Sequence, residues 1–121
     1  MPTVLFVSHD ADLRAAASRV LTMAGCQVTA AAHAGHAALA CIELGGFDVL
    51  LIENRMADGT AGAIAERLRR YCPGMQVVRM CDAGQAPLPQ PRTVVRPFTA
   101  DDLIGAVSDA TYGTRRGATI R

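Results

Sequence analysis

The side chains of this sequence with the greatest chemical potential follow short apolar runs. Glu53 ends the aliphatic run 49–52, and a second apolar run at 4–7 is followed by serine, histidine and aspartate. Such a run between polar residues is typical of a strand buried on both faces of a parallel sheet. In open α/β sheets, ligands and catalytic groups collect at the carboxyl ends of the strands. The candidate site residues at these predicted ends are Ser8, His9, Asp10, Glu53, Cys81 and Arg96.

These residue types allow three kinds of site. The Glu53 carboxylate could accept a chemical group, or it could form a bidentate ion pair with Arg96. A borderline metal such as Zn²⁺ could be bound by His9, Asp10, Glu53 and Cys81. No sequence-local ligand spacing supports that metal site. Cys81 beside His9 would make an activated thiol, but we expect another strand to separate the strands that carry them.

Composition narrows the classes of function. The chain has 121 residues, of which 50% are apolar, and a formal net charge of +1. We therefore expect one domain with its own core and no direct contact with nucleic acid. The longest apolar runs are far below the roughly 20 residues of a membrane helix, and the N-terminus lacks the pattern of a signal peptide. These features predict a cytoplasmic protein without a membrane partner.

The cysteines and the basic residues also carry information. The four cysteines have no CxxC or other metal-ligand spacing, so we expect small buried side chains rather than disulfides or metal ligands. All 12 basic residues are arginine. Because the chain has no lysine, coding bias alone could explain the arginine at position 96.

Alternating strand and helix patterns position the candidate residues. Strands are expected at 4–7, 27–32, 49–52, 75–81 and 93–95, and helices at 12–24, 33–44, 60–71 and from 99–102 to about Tyr112. In the second helix, the predicted inward side chains are Ala37, Leu39, Ala40 and Ile42. Glu66 and Arg70 are spaced for an ion pair on the third helix. The proline-rich segment 82–91 excludes a regular helix, and the basic tail 113–121 is predicted to be disordered.

Short buried strands that alternate with helices predict an α/β fold with a doubly wound parallel sheet. For five strands, the flavodoxin-like order 2-1-3-4-5 is the common solution, with helices on both faces. The crevice of this sheet lies between strands 1 and 3. This topology brings Ser8, His9 and Asp10 next to Glu53, within one domain over 1–112.

Over about residues 3–110, the chain resembles the receiver domain of bacterial two-component response regulators. The resemblance rests on the order and spacing of several segments rather than on one motif. These segments are 7–10 with 12–14, 35–39, 47–53 with Met56, and 96–98 before Asp102 and Leu103. The resemblance implies a phosphoacceptor aspartate, an acidic pair that binds Mg²⁺, and a cytoplasmic role in signal transduction by phosphorelay.

Most positions that would carry the family's chemistry are changed. Ser8 and His9 stand at the acidic pair, and Glu53 stands at the phosphoacceptor. Cys81 replaces the hydroxyl residue, and Arg96 replaces the lysine that contacts the phosphoryl group. Further departures are Ala57, Thr60, Ala61 and Thr93, the last at the aromatic switch position. The interval from 82 to 95 is also short for the family's fourth helix, so we expect a shortened helix or a proline-rich loop.

These changes predict a receiver that lacks the usual phosphorylation. Mg²⁺ prefers carboxylate oxygens, so Ser8 and His9 predict weak or absent Mg²⁺ binding and no other cofactor. Asp10 lies one position along and should turn away from Glu53, whose extra methylene also displaces its oxygens. Glu53 is then either paired with Arg96 in a permanently set conformation or the remnant of a decayed site.

The leading hypothesis is a non-enzymatic pseudo-receiver that works through protein contact. The resemblance implies a signalling partner, such as a histidine kinase, an output domain or another regulator, and a second copy of the chain is a further candidate. One alternative is a phosphoaccepting receiver that uses a non-standard residue or metal. Another is a small metal-binding or redox domain.

Overall fold

The computed structural model describes residues 2–82, 93–95 and 98–120, with the backbone alone over 112–120. Strands and helices alternate along the chain, as the sequence predicts. In chain order the elements are β1 (Thr3–Val7), α1 (Ala11–Met23), β2 (Gln27–Ala31), α2 (Ala34–Glu43), β3 (Val49–Glu53), β4 (Arg55–Met56), β5 (Gly59–Thr60), α3 (Ala61–Leu68), β6 (Gln76–Cys81), β7 (Thr93–Val95) and α4 (Ala100–Ile120).

Five strands form one sheet in the order β2-β1-β3-β6-β7, and all neighbouring pairs are parallel. This is the predicted order of a flavodoxin-like, doubly wound α/β fold, which is confirmed. β3 lies in the centre between β1 and β6, and all five of its residues are buried. Its register places Ile52 opposite Val7 and Glu53 opposite Met80.

Two apolar layers cover the two faces of the sheet. Because side chains alternate along a strand, β1 and β3 each contribute to both layers. Leu5, Val7, Leu50 and Ile52 pack in the layer that includes α2 and α3. Val4, Phe6, Val49 and Leu51 pack with residues of α1 and α4 in the other layer. Both layers extend to the carboxyl ends of β1 and β3, where the candidate site lies.

Side chains cap the helices at their predicted starts. Asp10 accepts a hydrogen bond from the Leu13 amide at the start of α1, and Thr60 does the same for Ala63 at the start of α3. Before α4, Thr99 and Asp102 exchange reciprocal side-chain and backbone bonds, which is the predicted capping box. Gly25 follows α1 with a φ of 96°, a conformation that favours glycine.

The prediction for the buried face of α2 is partly wrong. Ala37 is fully buried, but Leu39 is 53% exposed and Ile42 is 59% exposed. The inward positions are instead taken by Ala34, Ala37 and Cys41. Small side chains at these positions let the helix pack closely on the sheet, and this directs the larger Leu39 and Ile42 outwards.

Two helix ends also differ from the predictions. α3 ends at Leu68, and Glu66 pairs with Arg69 at 3.4 Å rather than with Arg70. α4 continues to Ile120, so the backbone of the tail predicted to be disordered is helical as far as that residue. A glycine such as Gly113 costs only about 1 kcal/mol relative to alanine in a helix, and no proline follows it.

Some predictions lie outside the described residues. The predicted loss of the fourth helix concerns residues 83–92, which lie outside the described residues, as does the predicted ion-pair partner Arg96. Among the helices that the structure does describe, none is long and apolar enough to cross a membrane.

Candidate functional site

Glu53 ends the central strand β3 as a buried carboxylate. The residue is only 5% exposed. Its Oε2 atom lies 2.7 Å from Ser8 Oγ and 2.8 Å from Nδ1 of His9. The Ser8 hydroxyl donates a hydrogen bond to this oxygen, and the His9 ring contacts the same oxygen. We name Ser8, His9 and Glu53 the carboxylate cluster.

The alternation of side chains along two strands explains why Ser8 meets Glu53. Val4 and Phe6 on β1 and Val49 and Leu51 on β3 all face the α1–α4 layer. Continued by two residues in each strand, this alternation directs Ser8 and Glu53 to the same side of the sheet. Ser8 is itself fully buried, and its amide still bonds to the carbonyl of Ala31 on β2 at 3.1 Å.

His9 is the exposed member of the carboxylate cluster. Its side chain is 70% exposed, whereas that of Glu53 is 7% exposed. The imidazole therefore covers the buried carboxylate from the solvent side. The sequence predicted that His9 is a poor Mg²⁺ ligand near Glu53, but it did not predict the close contact of the ring with the carboxylate.

Asp10 lies next to the cluster but is directed elsewhere, as the sequence predicted. Its Oδ1 atom accepts from the Leu13 amide at 3.1 Å and caps α1. The Asp10 amide donates to Ser8 Oγ at 3.1 Å, so one hydroxyl links the helix start to Glu53. Arg14 completes this junction because its Nη1 atom donates to the Ser8 carbonyl at 2.7 Å.

The loop after β3 is fixed by bonds that the sequence analysis missed. β4 and β5 form a two-stranded antiparallel hairpin, whose turn is Ala57-Asp58. The Asp58 carboxylate reaches the second helix, where Oδ2 accepts from the Ala34 amide at 2.7 Å. Asn54 holds the other end through its carbonyl, which accepts from the Ala61 amide at 3.0 Å. The sequence Asp58-Gly59 is typical of a turn, but nothing local in the sequence indicates that the Asp58 carboxylate accepts from the distant Ala34 amide.

The remaining predicted site residues lie further along the same edge. Cys81 ends β6 and is fully buried, opposite Val95 on β7. Thr93 starts β7 and is half-buried. β3 lies between the strands that carry His9 and Cys81, as predicted, and the contact of His9 is with Glu53. This arrangement does not support an activated thiol at Cys81.

The metal and redox alternatives gain no support from the geometry. Within residues 2–82, 93–95 and 98–111, no three His, Cys, Asp or Glu side chains form a cluster that could hold a metal. The cysteines form no disulfide. Burial raises the pKa of the Cys41 thiol to about 12, and a hydrogen bond with Cys72 adds to this effect. Because the thiolate is the reactive form, such a thiol is chemically inert near neutral pH.

Comparisons with known proteins agree with this architecture. No protein-family model matches the sequence, and no curated protein matches it. Among solved structures, a response regulator receiver domain protein from Clostridium thermocellum is 18% identical with a TM-score of 0.81, and 100% of each chain is covered. A CheY-like receiver domain protein from Methanospirillum hungatei is 21% identical, with 97% of this chain and 98% of that chain covered at a TM-score of 0.81. A response regulator receiver protein from Sinorhizobium medicae is 25% identical, with 93% and 96% covered at a TM-score of 0.77.

The protein is thus of the flavodoxin-like α/β class, with its candidate site at the carboxyl ends of the first and third strands. Within that class, the structure has the fold of response regulator receiver domains, and the resemblance seen in the sequence is confirmed.

The carboxylate cluster does not fit the Mg²⁺ ion that the receiver resemblance implies. Mg²⁺ requires hard oxygen ligands in near-octahedral geometry. Here Glu53 Oε2 accepts from the Ser8 hydroxyl and contacts the His9 ring, and the Asp10 carboxylate caps a helix. Ser8 and His9 provide a hydroxyl and an imidazole at the positions where an acidic pair would stand.

Proposed function

We propose that this protein is an atypical receiver of two-component signalling that acts through protein contact without phosphorylation at its usual acceptor position. One observation carries this proposal. Oε2 of the buried Glu53 carboxylate accepts a hydrogen bond from the Ser8 hydroxyl, and Nδ1 of His9 lies 2.8 Å from the same oxygen. The chain thus supplies its own donors to the carboxylate at the position where a receiver would use a cation.

The chemistry of phosphoryl transfer explains why this matters. The transferred group carries negative charge on three oxygens, and divalent cations normally neutralise that charge. Ser8 offers a neutral hydroxyl at a position where the resemblance implies an acidic ligand for Mg²⁺. Glu53 is also one methylene longer than aspartate, and a displacement of about 1 Å can cost roughly a hundredfold in rate.

The proposed partner is another signalling protein. The fold is shared with a receiver domain from the hybrid histidine kinase CckA, at 20% identity and a TM-score of 0.75. For this chain we propose contact with a histidine kinase, an output domain or another regulator. Such a role needs a defined surface rather than catalysis, and the bonds from Asp10, Arg14 and Asp58 give the site edge one fixed shape.

A phosphorylation assay tests the proposal. The protein is incubated with Mg²⁺ and a small phosphodonor such as phosphoramidate, and its intact mass is measured. The matched positive control is the variant that combines Ser8→Asp, His9→Asp and Glu53→Asp, which restores the acidic residues that the resemblance implies. We expect no added phosphate on the natural chain. A stoichiometric phosphate on the natural chain, at any residue, would overturn the proposal.

A second experiment asks whether Glu53 carries a signal. Glu53→Gln removes the charge but keeps the side-chain length and an acceptor oxygen. If the charged cluster sets the contact surface, this variant binds a partner captured from the source cell more weakly than the natural chain does. Unchanged binding would identify Glu53 as a remnant of a decayed site.

A further inference from the structure

The other edge of the sheet carries a feature that the receiver role does not explain. Among the described strands, β2 is an edge strand that pairs only with β1. Its sequence, Gln-Val-Thr-Ala-Ala, contains no charge and no proline, and Gln27 and Ala30 are exposed. Natural edge strands are usually protected by charges, prolines or bulges because their unpaired backbone groups can pair with another chain. None of these protections is present in β2.

The backbone hydrogen bonds of β2 identify which of its backbone groups point outwards. The Gln27 amide donates to the Pro2 carbonyl at 2.8 Å, and the Ala31 carbonyl accepts from the Ser8 amide at 3.1 Å. Both of these residues therefore bond towards β1. Because alternate residues of a strand bond to the same neighbour, the N–H and C=O groups of Val28 and Ala30 face away from the sheet.

We propose that a second copy of this chain pairs with β2 in antiparallel orientation, with a two-fold axis at Thr29. Val28 of each copy then faces Ala30 of the other. Each such pair exchanges two backbone hydrogen bonds, so the contact contains four. The outward groups of one strand are thus complementary to themselves, as an isologous interface requires. The two sheets join into one continuous sheet.

A neighbouring apolar side chain favours the same occupant. Leu44 follows α2 and is 65% exposed. With Thr3, Gln27, Val28, Thr29, Gly45 and Phe47 it lines a groove of about 430 Å³ that extends from β2 across the start of β1 to the segment before β3. The two-fold axis brings the second copy against this groove and covers Leu44 in both copies. No residue that lines the groove is charged, so two identical surfaces meet without like-charge repulsion.

The proposed interface is small and separate from the carboxylate cluster. A five-residue edge with one apolar groove is below the ~1,600 Å² of a standard stable interface, so we expect a reversible dimer. The dimer does not depend on Glu53, and its failure would leave the proposed receiver function intact.

Sedimentation velocity over about a hundredfold range of concentration measures the dimer directly. Ala30→Pro removes an outward donor without touching the bonds to β1, and prolines are tolerated on edge strands. Leu44→Glu places a charge in the groove. We expect each variant to weaken dimerisation by at least about tenfold. Circular dichroism and thermal unfolding verify that both variants remain folded.

Two control variants separate this edge from other apolar surfaces. Ile42→Glu alters a side chain with 59% exposure that does not line the groove. Met23→Glu alters a side chain with 82% exposure in a different groove, between α1 and α4. We expect the dissociation constant of both controls to equal that of the natural chain.

Amide hydrogen exchange provides the second readout. At concentrations that favour the dimer, the Val28 and Ala30 amides should exchange more slowly than in the dilute protein, whereas the Glu43 amide in α2 should not change. A chain that stays monomeric throughout would overturn the proposal. So would a dimer that the Ile42 or Met23 control disrupts while Ala30→Pro leaves it unchanged.

Discussion

Asp10 and Glu53 both carry carboxylates at the same edge of the sheet, but they accept hydrogen bonds from different parts of the chain. Glu53 is buried, and one of its oxygens accepts a hydrogen bond from Ser8 and lies 2.8 Å from Nδ1 of His9. Asp10 is exposed and accepts from the Leu13 amide at the start of α1. Ser8 joins the two because its hydroxyl donates to Glu53 and accepts from the Asp10 amide. Both carboxylates therefore accept hydrogen bonds from donor groups within the chain.

The difference shows how the backbone decides the role of an acidic residue. Glu53 still belongs to β3, so the alternation of side chains along this strand directs its carboxylate towards Ser8. Asp10 has left the strand and precedes a helix, where an extended residue presents its carboxylate to the free amides of the first turn. A shift of one residue along the chain therefore changes a candidate ligand into a helix cap.

The largest expected effect comes from removing the shared hydroxyl. Ser8→Ala leaves the buried Glu53 carboxylate with one donor fewer, and we expect the free energy of unfolding to fall by about 1–3 kcal/mol. Urea denaturation measures it. Ser18→Ala is the matched control, since Ser18 Oγ is buried without a hydrogen-bond partner among the described residues. Equal losses in both variants would contradict the role of the Ser8–Glu53 bond.

Removing the helix cap should cost less. Asp10→Ala deletes the acceptor at the start of α1, and substitutions of this kind typically cost about 1 kcal/mol. Asp10→Asn keeps a capping oxygen and should retain most of the stability. Thermal unfolding of both variants measures the difference. If Asn were as damaging as Ala, the Asp10 charge rather than the cap would matter, and the comparison with Glu53 would need revision.

Asp58 is a third carboxylate at this edge, and it shares one feature with each of the other two. It is exposed like Asp10, but its bond to the Ala34 amide joins two distant segments. Asp58→Ala should lower the free energy of unfolding by about 0.5–1.5 kcal/mol. It should also increase hydrogen exchange at the Ala34 amide, which Asp58→Asn should leave protected. Unchanged exchange in Asp58→Ala would show that the bond does not hold α2.

The smallest effect is expected at His9. Its side chain is mostly exposed, so the His9→Ala variant should lose less than about 1 kcal/mol while solvent replaces the lost donor to Glu53. Chemical denaturation measures this change beside that of Ser8→Ala. A loss larger than that of Ser8→Ala would reverse the assignment of the buried hydroxyl as the main support of the carboxylate.

The sequence predicted those features that depend on strong local patterns. The unbroken aliphatic runs at 4–7 and 49–52 identified the buried strands, and the alternation of strands with helices led to the correct strand order. From that order, the proximity of Ser8 and His9 to Glu53 followed. The resemblance to receiver domains depended on the ends of these runs and also on segments 35–39 and 96–98.

Features that depend on tertiary packing were not predictable in the same way. The outward position of Leu39 and Ile42 reflects close packing of small residues on α2, which hydropathy does not encode. The bond from Asp58 to Ala34 joins residues 24 positions apart. The extent of α4 was underestimated because the basic composition of the tail predicted disorder, whereas its backbone is helical as far as Ile120. The bond between His9 and Glu53 depends on a ring orientation that residue types alone do not determine.

A Mg²⁺ titration followed by amide NMR spectra tests the central claim most directly. If Ser8 and His9 contact the Glu53 carboxylate in place of a cation, addition of Mg²⁺ to millimolar concentration will cause no saturable shift at the amides of residues 8–10 and 53–54. The variant that combines Ser8→Asp, His9→Asp and Glu53→Asp should show such shifts. A saturable Mg²⁺-dependent shift at these amides in the natural chain would contradict the account.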